Sequence, residues 1–225
     1  APDFHVLETV RLHHGEWVNQ TAHVNRMQQA AQHFGFVWDV QVIHHILADT
    51  ARQASGPGPW RGRWLLSASG ALKVELFALE PNPAHLQLVL ADRPMQADWQ
   101  FVQFKTTFRP HYDSFSSLLQ QHPECTDVLL YNAQGLLSET CRFNVVLELD
   151  GRLLTPATHD TIPGNLLPGV LRGELLSNNT ISQAEIDCID LKQASRMWVI
   201  NSLRGWIPVS RVLSPAGETL FGDKP

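Results

Sequence analysis

The apolar residues at the start of the chain change their spacing within a few turns of backbone. FHVLETVRLHHGEWV alternates apolar and polar residues about Gly15, and TAHVNRMQQAAQHFGF then repeats Val24, Met27, Ala31 and Phe34 at helical intervals. Alternation puts successive side chains on opposite faces of a strand, whereas helical spacing gathers them on one face. The pattern therefore predicts a hairpin followed by a helix that ends at Gly35, a residue free to take the left-handed conformation of a helix C-terminus.

The same reading carries along the chain. A second helix is predicted through VQVIHHILADTARQ, broken by the turn formers of SGPGPWRG. RWLLSASGALKVELFAL reads as two strands about Gly70 and HLQLVLA as a third. These segments make a small unit, residues 1–95. A second unit, 96–225, is expected to open with a strand in FVQFK and a helix through YDSFSSLLQQH. Strands DVLLYNAQGLLSET and NVVLELDGRLLTP follow, then helices in PGVLRGELLSN and near SQAEIDCIDLKQA, and a strand, turn and strand in RMWVINSLRGWIPV. Without a regular βαβ repeat, two α+β domains fit better than a doubly wound sheet.

Composition narrows the function. The formal charge is -5 and no run of basic residues stands out, which argues against nucleic acid and anionic membranes as partners. No apolar run has the roughly 20 residues of a membrane span, and APDFHVLETV lacks the order of a signal peptide. Cys125, Cys141 and Cys188 lie far apart, so they read as reduced thiols of a cytoplasmic protein, and the Asn19 and Asn178 glycosylation patterns as chance. The pairs His13-His14 and His44-His45 do not share a face and predict no metal site.

Lysine is scarce: Lys73, Lys105, Lys192 and Lys224 are the whole set. Lys105, in FVQFKTTFRPHYDS, is either an ordinary surface residue or an amine nucleophile. A lysine that carries pyridoxal phosphate needs an anion site for the phosphate, a partner for the ring nitrogen and groups that orient the bound substrate. LLPGVLRGELL offers a helix start for the anion, and Arg26 a fork of donors. Glu139, where an apolar strand meets a polar turn, offers the carboxylate; Ser202 offers a hydroxyl after an apolar strand. Each also has a plainer reading as helix initiation, solvated charge or turn residue.

Taken in order, FKTTFRPHYD, SETCRFNVV, LTPATHDTIPGNLLPGVLRGELL and WVINSLRGW resemble the motifs of the fold-type IV pyridoxal phosphate enzymes, the class IV aminotransferases, over Leu7 to about Val209. Within them the KTTxRxxYD and NSLRGW forms are most similar to the aminodeoxychorismate lyases found fused to, or encoded beside, aminodeoxychorismate synthase. The resemblance implies a two-domain α+β fold of the D-amino acid or branched-chain aminotransferase type and a homodimer. It implies that Lys105 is the cofactor's covalent anchor and proton shuttle, and that Glu139 partners the pyridine nitrogen. Arg26, the amides of Val170 and Leu171, and Asn201 with Ser202 then hold the phosphate. Arg109 and Arg204 are expected on the substrate carboxylates, and Thr9 and Tyr112 around the cofactor and substrate.

The chain departs from its relatives at Phe104, where many have histidine, and at Leu171, where some have threonine. Three functions remain open on the sequence: a lyase forming 4-aminobenzoate and pyruvate, an aminotransferase for branched-chain or D-amino acids, and a degenerate non-catalytic module.

Overall fold

The computed structural model describes residues 3–158 and 165–222. Residues 159–164, inside the LTPATHDTIPGNLLPG motif, lie outside them. The chain divides into two compact units.

Unit 1 is Ala1–Pro81 together with Phe104–Phe108. Its sheet runs β2-β1-β3-β4, all antiparallel, from β1 (Val6–His13), β2 (Glu16–Trp17), β3 (Trp60–Leu66) and β4 (Leu72–Ala78). Two helices cover one face, α1 (Gln20–Phe34) and α2 (Val40–Gln53). Gly35 closes α1 at φ 70°, the left-handed region, and the Phe36 amide reaches back to Ala31 O at 2.8 Å. Asp39 starts α2 by accepting from the Gln41 and Val42 amides at 3.0 and 3.2 Å.

The core of unit 1 forms where the even-numbered residues of β1 and β3 meet α1 and α2. Val6, Val10, Leu12, Trp64 and Leu66 pack there against Met27, Ala31, Ile43 and Leu47. Trp64 is fully buried and meets Trp17 edge to face at 5.2 Å between centroids. Trp17 also donates from Nε1 to Leu47 O at 3.0 Å, tying the hairpin to α2. Gly62 allows this packing, because a Cβ there would run into the Trp17 ring.

Unit 2 is Asn82–Gln103 with Arg109–Pro225. Among the described residues its sheet runs β10-β9-β8-β11-β12-β5-β6-β7, with β13 beside β12. The strands are β5 (Leu86–Leu90), β6 (Asp127–Tyr131), β7 (Leu137–Thr140), β8 (Asn144–Leu149), β9 (Arg152–Pro156), β10 (Ser182–Ala184), β11 (Arg196–Asn201), β12 (Gly205–Leu213) and β13 (Thr219–Gly222). Short helices α3 (Trp99–Gln103), α4 (Pro110–Asp113) and α5 (Ser116–Gln121) lead into β6, and α6 (Val170–Ser177) follows β9. Leu88, Leu129, Val145, Leu147, Val199 and Val212, all fully buried, lie at the heart of one core cluster.

The hairpin, α1, α2 and most strands stand where the periodicity placed them. Four readings change. HLQLVLA is a strand of unit 2 rather than of the small unit, because β5 pairs in parallel with both β12 and β6. Residues 101–103 are helical, since the Asp98 side chain accepts from the Gln100 amide and starts α3. SQAEIDCIDLKQA holds β10 and a 3-10 turn, Cys188–Lys192, closed by a reciprocal cap between Asp187 and Asp190. The break expected after residue 95 falls instead at Pro81, with Phe104–Phe108 returning to unit 1 and carrying Lys105 with it.

Candidate active site

Lys105 is placed by backbone pairing. The Leu7 amide donates to Lys105 O at 3.0 Å, Thr107 N donates to His5 O at 3.0 Å, and Val6 faces Thr106 across an antiparallel bridge. Lys105 therefore lies opposite Leu7 and shares its face. Phe104 and Thr106 fall on the other face, where Phe104 stacks on His33 with centroids 4.3 Å apart and joins the core of unit 1. The departure at Phe104 is thus absorbed by packing on the side away from the lysine.

The register of β1 against β3 fills out that face. Thr9 is opposite Arg63 and Arg11 opposite Arg61, so Thr9, Arg11, Arg61 and Arg63 share the side of Leu7 and Lys105. Thr9 is the diagonal neighbour of Lys105, a spacing of about 7 Å between backbones. Arg63 is held by Glu75 at 3.2 Å, and the Arg61 guanidinium sits 4.5 Å over the Phe77 ring. Of these residues the sequence reading named only Thr9. The signal was present in TVR and WRGRW, where arginines recur at the strand period.

Arg26 and Glu8 lie on the helix side of the same sheet. Arg26 donates from Nε to Glu8 Oε1 at 2.8 Å and from Nη2 to Oε2 at 2.7 Å, and His23 Nδ1 is 2.6 Å from Oε2. Burial would raise the Glu8 pKa, but the Arg26 charge and the hydrogen bonds from His23 and Arg26 outweigh it and hold the carboxyl down at about 2. Arg26, expected on a phosphate, is oriented by a buried carboxylate that spacing alone did not reveal.

In unit 2 the candidate residues gather around Glu139. It sits on β7 at 3% exposure, far from an exposed turn. Tyr112 donates its hydroxyl to Oε2 at 2.8 Å and the Leu167 amide donates to Oε1 at 3.1 Å. Burial, then the Glu139 charge, pushes the Tyr112 phenol well above its usual range, so it stays a donor. Arg109 lies 4.3 Å over the Tyr112 ring and donates to Cys141 O. Arg109, expected on a substrate carboxylate, and Tyr112, expected around the cofactor and substrate, are both turned onto Glu139 and its strand.

The loop that reaches Glu139 also starts α6. Asn144 Nδ2 donates to Leu167 O at 2.9 Å, and a Cβ on Gly169 would collide with Asn144 Oδ1. Gly169 is the N-cap of α6 and no side chain caps the helix, so the Val170 and Leu171 amides stand in its first turn, where the helix dipole favours an anion. Asn201 ends β11, where its Oδ1 accepts from the Arg204 amide at 2.9 Å. Ser202 stands in the turn that follows, and Arg204 Nη1 donates to Asn82 Oδ1 at 3.2 Å. Among the described residues no cluster of three or more His, Cys, Asp or Glu is placed to hold a metal.

The donor types suit pyridoxal phosphate: unit 1 carries an amine at Lys105, and unit 2 carries a buried carboxylate held as an acceptor and a helix start without a side-chain cap. The sequence matches the family described as amino-transferase class IV over residues 5–212. A Schizosaccharomyces pombe protein provisionally named aminodeoxychorismate lyase is 27% identical over 200 residues, 86% of this chain and 84% of that protein. A crystal structure from Mesorhizobium loti, provisionally named an amino-acid aminotransferase, is 32% identical with TM-score 0.81, covering 94% of this chain and all of the other. A hypothetical aminotransferase from Mycobacterium tuberculosis, solved with α-ketoglutarate and PMP bound, has the same fold at 20% identity and TM-score 0.77, over 92% of this chain and 81% of its own.

The fold is that of a fold-type IV enzyme. The chain belongs to the class IV aminotransferase family, and its cofactor is pyridoxal 5'-phosphate.

Proposed function

We propose that this enzyme is a lyase that converts 4-amino-4-deoxychorismate to 4-aminobenzoate and pyruvate, the step that completes the aromatic part of folate. The observation that carries the reading is the shared face of Lys105, Thr9, Arg11, Arg61 and Arg63. An amine that shares a sheet face with several arginines suits a substrate with one amino group and two carboxylates. The KTTxR and NSLRGW forms and the name of the yeast relative support the same substrate.

Lys105 would anchor the cofactor, with Glu139 on its ring nitrogen. Val170, Leu171, Arg26, Asn201 and Ser202 would hold its phosphate. When bound, the cofactor supplies an electron sink next to the substrate amine. Lys105 Nζ would take the proton from the amine-bearing carbon of the bound substrate. Arg61, Arg63 and Arg11 hold the carboxylates, and Thr9 donates its hydroxyl beside them. Loss of the enolpyruvyl substituent then makes the ring aromatic, which renders the step effectively irreversible.

Incubation with 4-amino-4-deoxychorismate tests the reading through the fluorescence of 4-aminobenzoate. Product is expected from the wild type and none from Lys105→Ala. Glutamate formation from 2-oxoglutarate without 4-aminobenzoate would replace the lyase with an aminotransferase. A protein that takes up no pyridoxal phosphate would be a non-catalytic module.

A further inference from the structure

We propose that Tyr112 is a positioning residue for Glu139: its hydroxyl fixes the carboxylate as the ionised, correctly turned acceptor that the cofactor's ring nitrogen requires. The inference rests on the proposed role of Glu139 and gives Tyr112 a definite place, on the cofactor's partner rather than on the substrate.

Four observations lead to it. Tyr112 and Leu167 each engage one oxygen of Glu139, at 2.8 and 3.1 Å, so the carboxylate plane is set from both ends. Both residues of the side-chain pair are nearly excluded from water, at 7% and 3% exposure, where a hydrogen bond to a charged acceptor is strong and a lost one is costly. Arg109 covers the Tyr112 ring at 4.3 Å while donating to Cys141 O, on the strand segment just past Glu139. A cation over a phenol face draws charge from the ring and makes the hydroxyl a better donor. The phenol is held in its protonated form by burial and by the neighbouring carboxylate, so the direction of donation does not reverse at working pH.

The chemistry follows from the geometry. A hydrogen bond donated to the charged form of a carboxyl favours that form. An ionised Glu139 keeps a pyridine nitrogen protonated, and the protonated ring is the stronger electron sink. Tyr112 would act on the reaction only through Glu139, without touching substrate.

The variant that tests this is Tyr112→Phe, which removes one oxygen and keeps the buried ring. In the apoenzyme, ¹³C NMR of labelled glutamate side chains should show the Glu139 carboxyl titrating at higher pH in the variant than in the wild type. An unchanged titration overturns the proposal, whatever the enzyme's substrate proves to be. In the holoenzyme, the dissociation constant for pyridoxal phosphate should rise about tenfold, the loss of one hydrogen bond to a charged group. The ¹⁵N resonance of labelled cofactor should move toward that of unprotonated pyridine, and kcat should fall with little change in KM.

A second background separates positioning from mere packing. On Glu139→Gln, adding Tyr112→Phe should change neither cofactor affinity nor the ¹⁵N resonance further. Equal losses on both backgrounds would show that Tyr112 acts independently of Glu139 and would overturn the proposal. Failure of the wild type to bind pyridoxal phosphate would instead overturn the functional reading, which the apoenzyme titration tells apart.

Discussion

Glu8 shows how a single side chain sets the state of its neighbours. It is 1% exposed and takes both donors of the Arg26 fork and the ring of His23. A carboxyl held below its ordinary value stabilises the fold above that value and loses the contribution as pH falls through the folded one. The drop from 4.5 to about 2 corresponds to about 3 kcal/mol at neutral pH. Glu8→Gln is therefore expected to lower stability to urea by about that amount at pH 7. Its stability should also stay flatter than the wild type's between about pH 4.5 and 2. Equilibrium unfolding across that range checks both. Nothing in LETVR foretold this, because a strand glutamate meets its helix partners only through tertiary packing.

At the scale of elements, two starts of helices differ in what they do. Asp39 caps α2 with its own side chain, and Asp39→Ala should cost about 1 kcal/mol in thermal or chemical unfolding, with no effect on cofactor binding. α6 has a glycine at the same position and no side-chain cap. In Gly169→Ala the new methyl group must displace Asn144, which secures Leu167 and through it Glu139. Pyridoxal phosphate affinity should fall at least about tenfold, alongside a stability loss of about 1–3 kcal/mol, measured by fluorescence titration and urea unfolding. Which elements were legible follows the same physics. α1 and α2 are amphipathic and explicitly terminated, so local periodicity was enough. FVQF is too short for a period to show, and the informative residue was Asp98 just before it. β5 is read as a strand from its composition, but its parallel partners are distant in sequence and invisible locally.

The whole molecule should lose stability in two steps on acidification. Burial, then the Arg109 charge, pushes His111 down to about 4, so the unfolded chain takes up a proton first. Stability falls as pH drops from about 6.5 towards that value, before the Glu8 carboxyl begins to titrate. Replacing His111 by glutamine should remove the upper step and leave the lower one, as read from unfolding midpoints at successive pH values. The residues proposed for the cofactor stand out as types in their motifs. Their orientations do not: Arg109 and Arg204 turn to protein groups, as Arg63 and Arg61 do, and the face that Arg11, Arg61 and Arg63 share with Lys105 emerges only from the register of β1 and β3.

Unit 1 is discontinuous, because Phe104–Phe108 belongs to it and Asn82–Gln103 does not. On the ribosome, the first sheet is therefore made without its lysine strip and waits, its β1 edge open beside Leu7, until a stretch destined for the other unit has been synthesised. A single cut in the gene releases unit 1 with its lysine only if Asn82–Gln103 comes with it. Any search for an ancestral half-enzyme would have to carry that stretch along or splice the strip back on.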